Sequence, residues 1–137
     1  YLGLRKYSRS AAFNDQRFEP IKKEEVAQLT CTVSLLHSFE DAVNAYDWVI
    51  GKHGITLTIK NVYSATFLPE VMVENHWTKE ETLKQLALKA GYRGIINNDL
   101  FMSSDCKLRR YQTSSLTASY EQYVEYLDSF LSVNSEL

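Results

Sequence analysis

Histidine is the side chain whose charge changes near neutral pH, and this chain has three, His37, His53 and His76. His53 stands in Gly51-Lys52-His53-Gly54, immediately before an alternating run, Ile55 to Lys60. Glycines on both sides permit unusual backbone angles and the close approach of another chain. A histidine at the mouth of a strand is placed to act as a general base or a switch. The same residues also suit a plain bend that His53 caps. The second group is Leu68-Pro69-Glu70-Val71, in which Pro69 fixes the chain and Glu70 offers a carboxylate. Glu70 reads either as a helix-initiating residue or as a proton acceptor. Segments 55–59 and 63–68 read as the two arms of a hairpin, so His53 and Glu70 are expected at the same open end. They are the candidate catalytic pair, with His53 as base and Glu70 orienting it.

Two further groups are candidates for binding. Asp15 and Arg17 are flanked by Phe13 and Phe18. The spacing puts Asp15 and Arg17 close enough to pair or to hold a loop backbone, and Arg17 reads as a loop clamp bonding backbone carbonyls, or as a group that receives an anion or carboxylate. Trp77 follows His76 just before a capped helix, where an aromatic either staples the helix or stacks on a ligand. Cys31 lies in a strand-like run and reads as a small buried apolar residue. Cys31 and Cys106 lack CxxC spacing, and no histidine pairs with another histidine or a cysteine at metal-ligand spacing. No metal and no cofactor is expected. GxGxxG, Walker, HExxH, GxSxG and EF-hand patterns are missing from the sequence.

The elements that must position these groups are legible to different degrees. Leu4, Tyr7, Ala11 and Ala12 have helical spacing, predicting a helix over 2–13. A polar turn over 14–17 leads to Pro20, a short helical turn over 22–28 and an inward-packing Leu29. Thr30 to Leu36 alternates as a strand, and 39–48 reads as irregular. The hairpin follows, and then the strongest helix, 78–90. Thr78 and Glu81 form a capping box there, Leu83, Leu86, Ala87 and Ala90 a stripe, and Gly91 a C-terminal stop. Lys107 to Thr113 alternates as a third strand, with Leu108 and Arg110 on one face. Ser119 and Gln122 cap a last helix carrying Tyr123, Tyr126, Leu127 and Phe130.

A chain of 137 residues with 45% apolar and 23% charged residues suits one globular core. Its net charge of −2 argues against charge-driven nucleic-acid binding. No run approaches the ~20 apolar residues of a spanning helix, so no membrane association is expected. Isolated cysteines fit a reducing compartment, cytoplasmic and/or nuclear.

Several segments, in order, resemble one family. They are Ser10-Ala11-Ala12-Phe13 into Asp15-Gln16-Arg17-Phe18-Glu19-Pro20; Leu29 to Leu36 with Phe39-Glu40; Asp47-Trp48 with Gly51-Lys52-His53-Gly54-Ile55; Ala65-Thr66-Phe67-Leu68-Pro69-Glu70-Val71; Trp77; Glu81-Thr82-Leu83; Lys89-Ala90-Gly91-Tyr92; and Arg110-Tyr111-Gln112. Together they are similar to the AMME chromosomal region candidate protein family, the AMMECR domain, from about residue 3 to about residue 126. The resemblance implies an α+β domain with a mainly antiparallel sheet and packed helices, and a poorly defined function. In some prokaryotes the domain is linked to Memo-like and radical-SAM-type modules. The family's Leu-Arg-Gly-Cys-Ile-Gly signature precedes the first helix matched here. The expectation is therefore a single, N-terminally incomplete domain over 1–131 with a frayed tail over 132–137, and an exposed sheet edge. Neither Cys31 nor Cys106 stands at the signature cysteine.

The functional expectation is an intracellular interaction or regulatory domain with a cleft near Asp15, Arg17, His53 and Glu70 and an unidentified protein partner. A homodimer through Tyr7, Tyr123 and Tyr126 is an open option. The alternative is an enzyme whose cysteine nucleophile lies in the missing N-terminal segment, with His53 as base.

Overall fold

The computed structural model describes residues 2–134, with side chains over 3–132. The chain divides into two compact units, Tyr1–Val33 with Leu116–Leu137, and Ser34–Ser115.

In the second unit, β2 (Gly54–Ile59) and β3 (Tyr63–Phe67) pair antiparallel, from Ile55↔Phe67 to Ile59↔Tyr63. Alternating β-branched residues put Ile55, Leu57 and Ile59 on one face, and all three are fully buried. Val62 N–H donates to Ile59 O at 3.1 Å, with Lys60 and Asn61 at φ +54° and +56°. Two left-handed central residues make this a type I′ turn, the form whose twist matches the strands.

β4 (Cys106–Ser119) pairs with the other side of β2, antiparallel, from Gly54↔Tyr111 to Ile59↔Cys106. β1 (Thr30–Asp41) flanks β4, so the order is β1-β4-β2-β3. β1 runs past Leu36, where the sequence reads as irregular, because a bulge absorbs the irregularity. The Ser34 and Ser115 hydroxyls meet at 2.8 Å, but further along Glu40 faces Arg110 and Asp41 faces Arg109. The pairing slips by one residue across Ser38, whose φ is +52°.

The buried face of the sheet receives α2 (Pro69–Glu74) through Met72 and α3 (Lys79–Lys89) through Leu83, Leu86 and Ala87. The expected capping box is present. Thr78 Oγ1 accepts from Glu81 N–H at 3.2 Å, and Glu81 accepts from Thr78 N–H at 2.8 Å. Gly91 takes the left-handed stop at φ +84°. Of two short helices, α2 starts where Glu70 reads as a helix-initiating residue, and α4 (Asn98–Met102) has no counterpart in the sequence reading. Pro69 occupies the first turn of α2, and Asn97 caps α4, which buries Phe101. Trp48 is buried in the same core, its indole N–H donating to Ala45 O at 2.9 Å.

In the first unit, α1 (Leu2–Phe13) has the predicted bounds, and a 3-10 turn (Lys23–Gln28) stands where a short helical turn is expected. α5 (Tyr120–Asn134) packs on that turn. It starts with the Ser119–Gln122 box, with distances of 2.9 and 3.2 Å. Two expectations are corrected. Leu29 is exposed, its carbonyl accepting Tyr120 N–H instead of its side chain entering a core, and Cys31 is exposed. The tail expected from 132 is helical through Asn134, and 135–137 lie outside the described residues. No helix among the described residues is long and apolar enough to cross a membrane.

Candidate functional site

His53 closes a five-residue turn at the entrance to β2. Lys52 N–H and His53 N–H both donate to Val49 O, at 3.2 and 3.0 Å, and Gly51 supplies the left-handed residue at φ +79°. Val49 N–H in turn donates to His53 Nδ1 at 2.9 Å. An imidazole nitrogen that accepts an amide proton carries none itself, so the neutral ring bears its proton on Nε2. The ring is only 6% exposed. Burial lowers its pKa first, and the positive charges of Arg110 and Lys52 lower it further, against Glu40 and Asp47. The net direction favours the neutral form.

Arg110 lies on the core-side face of β4, two residues from buried Leu108. A guanidinium there must find acceptors. Its Nε donates to Glu40 Oε2 at 2.9 Å, and Nη1 donates to Asp47 Oδ1 at 2.7 Å and Asp47 O at 2.9 Å. Asp47 Oδ2 also accepts Val43 N–H at 3.1 Å, the largest of the effects that hold its carboxyl below the usual range. Arg110 thus clamps the end of β1, the 42–48 segment and β4 beside the His53 turn. Sequence reading placed Arg110 on the face of Leu108 but did not find its two carboxylates. A cation at an apolar strand position was the available signal.

Glu70 lies exposed in the first turn of α2. The pairing Ile55↔Phe67 brings the chain positions of His53 and Glu70 to the same end of the hairpin. Their electrostatic neighbours differ, however. The carboxylates acting on His53 are Glu40 and Asp47, whereas Glu70 acts on Tyr111. Tyr111 is buried, which pushes its phenol up, and its hydroxyl donates to Phe67 O at 3.0 Å. Trp77 is half-buried with its ring 5.6 Å from Phe67, and its backbone N–H donates to Met72 O at 3.0 Å.

Asp15 and Arg17 belong to the first unit. Arg17 engages the Asp15 carboxylate with both Nε, at 2.9 Å, and Nη2, at 2.6 Å, and with its own backbone N–H at 3.1 Å. These hydrogen bonds hold the Asp15 carboxyl down at about 2. The partner of Arg17 is thus the neighbouring Asp15 carboxylate, the pairing that their spacing allows, and not loop carbonyls. Its guanidinium also lies 5.5 Å over the Phe18 ring.

Both cysteines are unbridged, and burial pushes the Cys106 thiol up to about 11. Among the described residues, no group of three or more His, Cys, Asp and Glu is arranged to hold a metal ion. Around the His53 turn the surface is apolar. Val49 is 54% exposed and Val73 50%, and a Cβ on Gly51 would lie 3.3 Å from Val73 Cγ2.

The AMMECR1 family profile matches residues 1–116. An uncharacterized protein of Arabidopsis thaliana is 38% identical over 130 residues, 91% of this chain and 60% of that protein. One from Saccharomyces cerevisiae is 39% identical, over 91% of this chain and 56% of that protein. The crystal structure of an uncharacterized protein from Pyrococcus horikoshii matches with a TM-score of 0.66 at 29% identity, covering 84% of this chain and 57% of that one. The chain therefore spans little more than half the length of these relatives. Its order of elements, its antiparallel sheet with packed helices and the extent of the profile match agree: the chain belongs to the AMMECR1 family.

Proposed function

We propose that the chain acts as an intracellular protein-interaction domain, and that the second unit receives its partner on the surface formed by Val49, Ile50 and Val73. The observation that carries this reading is the hydrogen bond from Val49 N–H to His53 Nδ1. A general base must present an unprotonated nitrogen to its substrate. The Nδ1 lone pair of His53 is occupied by the backbone, and Nε2 carries the proton. His53 is then a latch that fixes the exposed valine and isoleucine of its own turn. Glu70 and Glu74 of α2 flank Val73 in sequence, so the partner suited to this surface presents apolar side chains bordered by Lys or Arg. Asp15 and Arg17 contribute separately, as a charged loop on the first unit. The unbridged cysteines agree with a reducing compartment, cytoplasm or nucleus.

The test is photo-crosslinking in cells, with a benzophenone side chain at Val73 and, as control, at Val62 on the hairpin turn. A discrete adduct at position 73, lost with His53→Ala and missing from position 62, is the expected result. Identical adducts at both positions overturn the surface assignment. Turnover of a small substrate that disappears with His53→Ala would overturn the non-catalytic reading in favour of the cysteine–histidine enzyme.

A further inference from the structure

α5 is amphipathic, with its aromatic and its acidic side chains on opposite faces. At about 100° per residue, Tyr123, Tyr126 and Phe130 form one stripe along the helix. Glu121, Glu125 and Asp128 fall on the far side, exposed to water. Half-buried Val124 and Leu127 mark the side on which α5 packs against its own unit. The aromatic stripe runs beside that packed side, and its three residues are 52%, 64% and 54% exposed. It is a formed surface, because Tyr126 and Phe130 stack with centroids 6.3 Å apart and Tyr120 meets Tyr123 at 6.2 Å. With about 200 Å² in each aromatic side chain, the three leave roughly 340 Å² open to water.

The border of the stripe decides what it can meet. Gln122 and Ser129 lie along one edge and Tyr120 and Leu127 along the other, so its rim is uncharged. A rim that selects a foreign partner carries charges matched to those of that partner. An uncharged rim meets its own copy without setting like charges opposite each other, and the three acids of each α5 point away from such a contact. We infer that α5 is a self-association surface, on which the aromatic stripes of two copies pack as an antiparallel, two-fold helix pair. The axis passes near Tyr126, and Tyr123 of each copy lies towards Phe130 of the other. Antiparallel packing also sets the positive end of each helix beside the negative end of its partner. The two stripes together supply about 700 Å² before the flanking residues are added, over half of the ~1,200 Å² at which specific interfaces begin. Tyrosine suits this place, since its ring is buried while its hydroxyl stays at the wet edge. This inference concerns the first unit alone and stands independently of the partner surface around His53.

The experiment measures the mass of the 137-residue chain by light scattering over about a hundredfold range of concentration, at low salt and at ~1 M salt. The expected result is a shift from 15.8 kDa toward twice that mass as concentration rises, and salt does not weaken it because the contact is apolar. Tyr123→Ser/Tyr126→Ser should weaken association by about tenfold or more, while Glu125→Gln/Asp128→Asn, on the far face, should change it by less than about twofold. A cysteine pair reads the geometry even where the serine variant fails to fold. On a Cys31→Ser background, Tyr126→Cys places a thiol at the two-fold axis and gives a disulfide-linked dimer on mild oxidation, whereas Glu125→Cys stays a single chain. A mass of 15.8 kDa at every concentration, association abolished by salt, association unchanged by the serine substitutions, or equal crosslinking from positions 125 and 126 overturns the inference.

Discussion

Gly54→Ala adds one methyl group to the start of β2, where Tyr111 of β4 lies directly opposite. A Cβ at that position would fall inside the van der Waals envelope of Tyr111 Cζ and Cε2, and 2.7 Å from Oη. The ring cannot yield freely. It is 1% exposed, its hydroxyl donates to Phe67 O at 3.0 Å, and Phe39 packs 5.3 Å from its centroid. Backbone conformation is not the obstacle, because Gly54 does not have a positive φ. Overpacking a tight site costs about 1–3 kcal/mol. Displacing the ring also loosens the hydroxyl's hydrogen bond, worth about 0.5–1.5 kcal/mol. The expected loss is therefore about 2–4 kcal/mol. Urea denaturation followed by tryptophan fluorescence measures it, since both tryptophans, Trp48 and Trp77, lie in this unit. With Tyr111→Val as background the ring is gone, and the same glycine substitution should cost less than about 1 kcal/mol. The double-mutant cycle then shows a coupling of about 1–3 kcal/mol. A loss below about 1 kcal/mol in the original background, or an equal loss in both, would refute the steric argument.

Two further predictions concern titration and thiol chemistry. The folded pKa of His53 lies below its unfolded value of 6.5, so the unfolded chain binds more protons in the window between the two. The stabilising contribution is complete above 6.5 and is lost as pH falls through the folded value. Thermal melting from pH 7.5 to 5 should show this slope, and His53→Asn should flatten it, because an amide oxygen can accept Val49 N–H but does not titrate. A slope unchanged by the substitution would contradict the latch. With its thiol pushed up to about 11, Cys106 is only about one part in a thousand thiolate at pH 8. Iodoacetamide at that pH should therefore modify exposed Cys31 first in the folded chain, and matched rates would refute the assignment of burial.

Local signals account for what the sequence made legible. Thr78, Glu81 and Gly91 mark the ends of α3 by their chemistry, and the alternation of Ile55, Leu57 and Ile59 marks β2 and its buried face. Less was visible wherever the cause lies far along the chain. α2 and α4 are six and five residues long, too short to show a helical period, and tertiary burial of Met72 and Phe101 holds them. Lys60 takes a left-handed conformation in the type I′ turn that its residue type does not announce. β1 continues beyond Leu36 because Ser38 bulges, which alternation read along one strand alone cannot show. Cys31 looked like a core residue because strand periodicity identifies faces, not which face is covered. The hairpin argument put His53 and Glu70 at one end, but the partners of His53 come from Val49 next to it and from Arg110, Glu40 and Asp47, which pairing of distant strands brings in.

The chemistry-bearing side chains of the second unit are committed to one another. Arg110 donates to Glu40 and Asp47, Asp47 also holds the backbone of Val43, and His53 holds the backbone of Val49. Arg110, Asp47 and His53 each fix a piece of main chain that lacks regular structure, the stretch between the end of β1 and the start of β2. That stretch carries Val49 and Ile50 outward and Trp48 inward. A loop without helix or strand needs side-chain acceptors and donors to satisfy its backbone, and a surface that must keep one shape for a partner needs that loop rigid. The same hydrogen bonds meet both requirements. Protonating His53 removes the acceptor of Val49 N–H and places a cation beside Arg110, so acidification should loosen the 49–53 turn before it melts the β2–β3–α3 core. Hydrogen exchange at pH 5.5 tests this order. Early loss of protection at Val49, Lys52 and His53 with Leu57 still protected is the expected pattern, and simultaneous loss would show that the turn has no independent latch.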